Sequence, residues 1–300
     1  MASPSSLIQL EYHIVDVFTT TPLQGNGLAV VFDTIGLPID RMQAIAREFN
    51  LSETTFIQRR DPAIERHEGV RVRIFTTQEE LPFAGHPTLG TASVLKQHAP
   101  ELLADDTLRL ALNVGPIPVR FKPGTLFGEM TQRDPEFLDQ VDPVAVARLC
   151  GLSADDLHHS VPPQVVSTGT AFAIVALRSH EALARLRVDQ EPATRYLREH
   201  GGRWFYVMGP TGADAPAWRA RMQFYGGEDP ATGSAAGCAI SYLVDQKIVP
   251  AGQQIHVRQG VEIGRASDLF LAADALDGKV ANVRVAGSTV PVAKGTIFLP

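Results

Sequence analysis

Three ionisable side chains in this 300-residue chain have neighbours that could give them chemistry: Glu53, His86 and Asp229. Glu53 stands in Leu51-Ser52-Glu53-Thr54-Thr55-Phe56, a carboxyl at the entry to an apolar strand. If that entry is enclosed, lost hydration raises the carboxyl pKa toward neutrality, where one group can both take and give a proton. An exposed Glu on a strand edge is the plainer reading of the pattern alone. His86 opens a run that reads as a helix, and the positive end of a helix dipole favours the neutral imidazole, with one hydrogen bond to offer a substrate. Alternatively, it only caps the helix. Asp229 could accept from a substrate ammonium group or merely brace a turn. Ser234, with the backbone N–H groups around Gly85 and Gly233, could donate to a substrate carboxylate.

The elements that must position these groups are two similar stretches. Val70, Val72 and Ile74 alternate with Arg71 and Arg73 at strand spacing, and Leu81-Pro82-Phe83-Ala84-Gly85-His86-Pro87 then turns into a helix. Gly85 permits the turn, and Pro87 suits a first helical position because it has no N–H to lose. The helix continues through Gly90, Thr91, Ala92 and Ser93, small and uncharged, as a helix buried on every side requires. Asp229-Pro230-Ala231-Thr232-Gly233-Ser234 leads into a second such helix, Ala235-Ala236-Gly237-Cys238-Ala239-Ile240-Ser241. Ala84-Gly85-His86 aligns with Thr232-Gly233-Ser234, and Ser93 with Ser241, which suggests a repeat. Two buried helix starts, one per half, could face each other across one cleft.

Around them the chain reads as short strands with a few helices. Leu10–Val17 and Leu28–Phe32 form a first hairpin about a turn at Pro22–Gly27. A helix capped by Asp40 buries Met42, Ile45, Ala46 and Phe49 and stops at Asn50, before a strand over Thr54–Ile57. Leu108–Leu112, Val119–Phe121 and Leu126–Met130 form a meander. Polar, proline-containing Thr131–Asp142 is the best linker candidate. Beyond it come a helix opened by Asp142-Pro143 and closed by Gly151, a buried strand over Ala171–Leu177, helical stretches at Glu181–Leu186 and Thr194–Glu199, and strands at Trp204–Met208 and Arg219–Phe224. The remainder, including Val261–Ile263, is expected to be nearly all β.

Composition excludes several classes. Net charge is −6 with no basic cluster, so nucleic acid is not an expected partner. No apolar run reaches membrane-spanning length and Met1–Ser6 lacks a basic start, so neither a membrane nor export is expected. Cys150 and Cys238 read as buried small residues rather than a disulfide, which suits a reducing cytoplasm. His158-His159 is poor metal-ligand spacing with no carboxylate cluster beside it, and no metal is expected. Gly25-Asn26-Gly27 and Gly226-Gly227 read as turns, not phosphate loops, and no nucleophile elbow occurs. Trp204 and Trp218 suit a core or cleft wall.

Several stretches resemble the PhzF family of phenazine biosynthesis. They are Phe49-Asn50-Leu51-Ser52-Glu53, Arg73-Ile74-Phe75-Thr76, Glu80 to Pro87, Asp229 to Gly237, Gln259-Gly260-Val261-Glu262-Ile263-Gly264-Arg265 and Gly295-Thr296-Ile297. The likeness runs in order from about Val15 to the C-terminus. It implies the diaminopimelate epimerase-like α/β (α+β) fold: two similar domains, each a β-sheet barrel wrapped around a central helix, with the active site between them. The domains are expected over 1–134 and 135–300, and the last strand, about 286–300, could return to the first. Ala84 and Thr232 stand where such epimerases carry two cysteines, so a two-thiol racemase mechanism is excluded. The family instead uses the glutamate matching Glu53, with His86, Asp229, Gly85, Gly233 and Ser234 around the substrate. Gly27 departs from the Asn-Pro of many relatives and is expected to affect only a turn. The implied activity is a cofactor-free isomerase of trans-2,3-dihydro-3-hydroxyanthranilate or a close analogue, with Glu53 moving a proton from C3 to C5. The alternatives are an epimerase or isomerase of another small amino or cyclic acid, or a non-catalytic binding protein on the same scaffold. A homodimer is implied by the resemblance alone.

Overall fold

The computed structural model describes residues 7–212, 217–224 and 227–299; Met1–Ser6 and Gly226, named above, lie outside them. The first half opens with β1 (Ile8–Val17) paired antiparallel to β2 (Asn26–Val31), so that Val17 faces Asn26. Helix α1 (Ile39–Phe49) lays Met42, Ile45 and Ala46 against the sheet and ends where Asn50 takes a left-handed conformation, φ 50°. Strand β3 (Glu53–Gln58) runs parallel to β2, with Glu53 beside Leu28. After the short α2 (Pro62–Glu68), β4 (Val70–Thr76) lies antiparallel to β3 and sets Thr76 opposite Glu53. A tight return through β5 (Glu80–Leu81) leads to α3 (Gly85–His98), and β6 (Thr107–Leu112), β7 (Gly115–Phe121) and β8 (Gly128–Thr131) complete this part of the sheet.

Helix α3 is buried from Gly85 through Leu95. Its small residues are what allow this: a Cβ at Gly90 would stand 2.6 Å from Leu28 Cδ2 and 2.7 Å from Val17 Cγ2. Its buried hydroxyl groups are satisfied internally, as buried polar groups usually are. Thr91 and Thr55 share a hydroxyl hydrogen bond of 2.8 Å, and Ser93 donates to Leu89 O.

The second half contains β9 (Glu136–Gln140), α4 (Pro143–Leu149), β10 (Gln164–Ser167), β11 (Ala171–Ala176), α5 (Gln190–Glu199), β12 (Trp204–Pro210) and β13 (Ala217–Arg221). A small hairpin of β14 (Gln223–Phe224) and β15 (Gly227–Glu228) then delivers the chain to α6 (Gly233–Asp245). Helix α6 is buried from Gly233 through Val244, and enclosing side chains such as Ile240 and Leu243 contributes about 1.5–3 kcal/mol each. Strands β16 (Ile255–Gln259), β17 (Ser267–Leu276), β18 (Lys279–Gly287) and β19 (Thr289–Leu299) follow. The seventeen strands of the main sheet form one continuous hydrogen-bonded system. It passes between the halves where β8 pairs with β18, and again where β19 pairs antiparallel with β1 from Ile8 to Val17.

Several local expectations need correction. Asp40 does not cap α1: the cap position is Pro38, without a side-chain hydrogen bond, and Asp40 lies within the first turn. Pro87 is the third residue of α3 rather than the first, still within the turn whose N–H groups have no helical partner. The polar stretch Thr131–Asp142 is not an irregular linker, because β9 lies within it and pairs with β10. Its polarity reflects a strand with most side chains in water. Val261–Ile263 is a 3₁₀ turn held between Gly260 (φ 76°) and Gly264 (φ 70°), left-handed positions that end a strand. Asn26 and Gly27 belong to β2 rather than to a turn.

Candidate active site

The starts of α3 and α6 meet directly. An added Cβ on Gly85 would lie 2.4 Å from Gly233 C and 2.5 Å from Ser234 N. Only two glycines permit this approach, so the first turns of both helices lie against each other. Neither helix has a side-chain N-cap: the cap positions are Ala84 and Thr232, and neither side chain accepts from a first-turn N–H. Two uncapped helix starts, each with its positive dipole end, therefore lie side by side, an arrangement that favours an anion.

The three ionisable candidates are brought together beside this point. Glu53 is 7% exposed, His86 2% and Asp229 4%, so the site is closed in this conformation. Strand β3 holds Glu53 between β2 and β4, fixing its backbone on both sides. Its Oε2 lies 3.4 Å from His86 Nε2, yet both atoms are buried without a hydrogen-bond partner. The contact is not an ion pair, because burial neutralises both ends of it. Desolvation, reinforced by the nearby Asp229 charge, holds the Glu53 carboxyl well above its usual range. Desolvation pushes the His86 imidazole down to about 3, so it is neutral at physiological pH.

Asp229 differs from Glu53 in its partners. Its Oδ1 accepts from Asn26 Nδ2 at 2.7 Å and from Ser52 Oγ at 3.3 Å, and its Oδ2 accepts from Thr232 Oγ1 at 2.6 Å. Burial still raises it to about 6, with those three donors pulling the other way. The two carboxyls titrate as a pair. The donors favour ionised Asp229, and their absence favours protonated Glu53. A carboxyl that keeps its proton next to one that has lost it is the pattern of an acid–base site.

Residues that the sequence reading passed over build the frame. Asn26 is 1% exposed and reaches from β2 across to Asp229, to Ala231 O at 2.8 Å and to His86 Nδ1 at 3.1 Å. Ser52 places a hydroxyl on Asp229. Gln259, fully buried, donates to Asp229 O and Thr232 Oγ1 and accepts from Thr232 N, which locks the loop carrying Asp229. Gln132, just after β8, donates to Gly233 O and accepts from Thr168 Oγ1. Ser234 is buried at the start of α6, beside Gly85. The available signals were Asn26 between two glycines and Gln259 before a positive-φ Gly260, and each reads equally well as turn chemistry.

Comparison with known proteins agrees with this architecture. The family model described as phenazine biosynthesis-like protein, PhzC-PhzF, matches residues 15–295. A trans-2,3-dihydro-3-hydroxyanthranilate isomerase of Pseudomonas aeruginosa is 36% identical over 294 residues, covering 96% of this chain and 99% of that protein. A solved structure described as a predicted epimerase from Pseudomonas aeruginosa superimposes with a TM-score of 0.82 at 33% identity, covering 96% of this chain and 98% of that one. A hydroxyproline epimerase from Agrobacterium vitis, only 10% identical, shares the fold alone, with a TM-score of 0.64 over 97% of this chain and 93% of its own. The diaminopimelate epimerase-like fold implied by the resemblance is therefore the fold of this protein. With the family match spanning most of its length, the chain belongs to the PhzC-PhzF phenazine biosynthesis-like family and is a PhzF-type isomerase.

Proposed function

We propose that this isomerase acts on trans-2,3-dihydro-3-hydroxyanthranilate or a close analogue, with Glu53 as the single acid–base group. The substrate carboxylate binds where the starts of α3 and α6 converge. Its ammonium group binds Asp229, while His86 and Ser234 face the remaining ring substituents. Neutralising Asp229 in this way removes the charge that adds to burial in keeping Glu53 protonated, so substrate binding itself eases release of the Glu53 proton. Ionised Glu53 takes the proton from C3 and the resulting carboxylic acid returns it at C5. These carbons are two bonds apart on one ring, within reach of one carboxyl group. The diene delocalises the charge developed between the two steps, so this chemistry needs neither a metal nor an organic cofactor. The product is an enol that becomes the ketone.

The observation that carries this reading is Glu53 itself. It is a buried carboxyl with an unpartnered oxygen 3.4 Å from a neutral imidazole, held proton-rich by burial and by Asp229. A group that must both accept and donate a proton near neutral pH benefits from this environment. Incubation of the enzyme with trans-2,3-dihydro-3-hydroxyanthranilate, followed by NMR, tests the proposal. Loss of the C3 hydrogen signal with a new hydrogen at C5 is expected. No change in this compound, with solvent deuterium entering another small amino or cyclic acid, would assign a different substrate.

A further inference from the structure

Asn26 has two amide hydrogens and three acceptors around its nitrogen: Asp229 Oδ1, Ala231 O and His86 Nδ1. The two oxygens fix which way the amide points. Turning it over would put Asn26 Oδ1 against a carboxylate and a carbonyl, where no hydrogen is available. The amide nitrogen therefore faces His86. An amide nitrogen has no usable lone pair, so it cannot accept from a ring N–H. At 3.1 Å, His86 Nδ1 can only be the bare nitrogen, and the ring hydrogen must sit on Nε2. That nitrogen is buried, has no partner, and lies 3.4 Å from Glu53 Oε2.

From this geometry we infer that Asn26 is a positioning residue that locks His86 in its Nε2–H tautomer and so makes it a neutral hydrogen-bond donor to the substrate. The inference rests on the reading above that His86 faces the ring substituents of the substrate. In it, His86 carries no proton in the reaction. It donates to the hydroxyl oxygen on C3 and so holds the C3 hydrogen toward Glu53, and a neutral donor can do this without competing for Glu53's proton. Asn26 thus ties the two halves of the site to one orientation. Asp229 and Ala231 O set the amide, the amide sets the tautomer, and the tautomer sets what the substrate meets.

The test reads the tautomer directly. Protein labelled with ¹⁵N in its histidine rings gives distinct shifts for protonated and bare ring nitrogens, and the His86 pair is assigned by its loss in His86→Asn. The wild type is expected to show a hydrogen on Nε2 and a bare Nδ1. A hydrogen on Nδ1 would overturn the inference, and so would a fully protonated ring at neutral pH. In Asn26→Asp the new carboxylate accepts from Nδ1, so the hydrogen is expected to move there. Turnover is then expected to fall by about 10²- to 10⁴-fold in kcat, with KM changed far less. A flipped tautomer with kcat retained would overturn the role assigned to His86. If Asn26→Asp does not fold, Asn26→Ser and the wild-type spectrum decide the same point. The two readings fail separately. A wild type with the Nε2 hydrogen but no turnover of the substrate refutes the proposed function alone, and turnover with the Nδ1 hydrogen refutes the tautomer alone.

Discussion

Replacing Gly85 with Ala measures how much of the activity depends on the contact between the two helix starts. The added methyl would stand 2.4 Å from Gly233 C, 2.5 Å from Gly233 Cα and 2.5 Å from Ser234 N, all backbone atoms with no rotamer to turn away. Ordinary contact begins near 3.4 Å, so the helix starts must part by about 1 Å. Overpacking of this kind costs about 1–3 kcal/mol, more than the roughly 1 kcal/mol that Ala gains over Gly in a helix. A lower Tm is therefore expected, by several degrees. The catalytic effect is expected to exceed the effect on stability. A displacement of about 1 Å between reacting groups can cost about 10²-fold in rate, because Glu53 belongs to one half and Asp229 to the other. The assay is kcat and KM for the isomerisation, with Tm by differential scanning fluorimetry. Gly212→Ala serves as the control, since a Cβ there meets nothing within 4 Å. If Gly85→Ala kept kcat within about twofold of the wild type while Tm was unchanged, the claim that these glycines set the geometry would be wrong.

Two further outcomes follow from the paired carboxyls. In Asp229→Asn the charge that helps Glu53 keep its proton is gone, so the Glu53 carboxyl, followed by ¹³C NMR, should titrate at lower pH than in the wild type; an unchanged or higher midpoint would show that the two groups are not coupled. For stability, Asp229 is raised from 3.8 to about 6, so over that interval the folded state binds more protons than the unfolded state. Its contribution is therefore fully favourable below the unfolded value and is lost as pH rises through the folded one, by an amount on the order of 3 kcal/mol. Glu53 acts in the same direction, so urea midpoints should fall as pH rises from about 4 through about 6, and the fall should be smaller in Glu53→Gln. An equal fall in both proteins would place the effect elsewhere.

The two central helices were legible because burial on all sides leaves a compositional trace: Gly90-Thr91-Ala92-Ser93 and Ala235-Ala236-Gly237-Cys238 have neither bulk nor charge to present to water. Their contact was legible only as a possibility, since it depends on Gly85 and Gly233 meeting across halves far apart in sequence. The enclosure of Glu53 had no local signature. It arises from β2 and β4 on either side and from Asp229 across the cleft, none of which alters the residues next to Glu53. The role of Asn26 is hidden in the sequence for a related reason. Flanked by Gly25 and Gly27 it has the composition of a turn, whereas its amide satisfies acceptors some 200 residues away in the chain. Strand β9 was missed because its side chains mostly face water, which removes the alternation by which strands are recognised. The 3₁₀ turn at Val261–Ile263 has the composition of a strand, and three residues are too few to show a period.

The most direct test of the account is solvent exchange by Glu53→Gln. The amide has nearly the shape of the carboxyl but cannot take a proton from carbon. With trans-2,3-dihydro-3-hydroxyanthranilate in D₂O, the wild type is expected to isomerise the compound and Glu53→Gln to leave its C3 hydrogen in place while still binding it, as measured by calorimetry. Isomerisation by Glu53→Gln at the wild-type rate would mean that another group moves the proton.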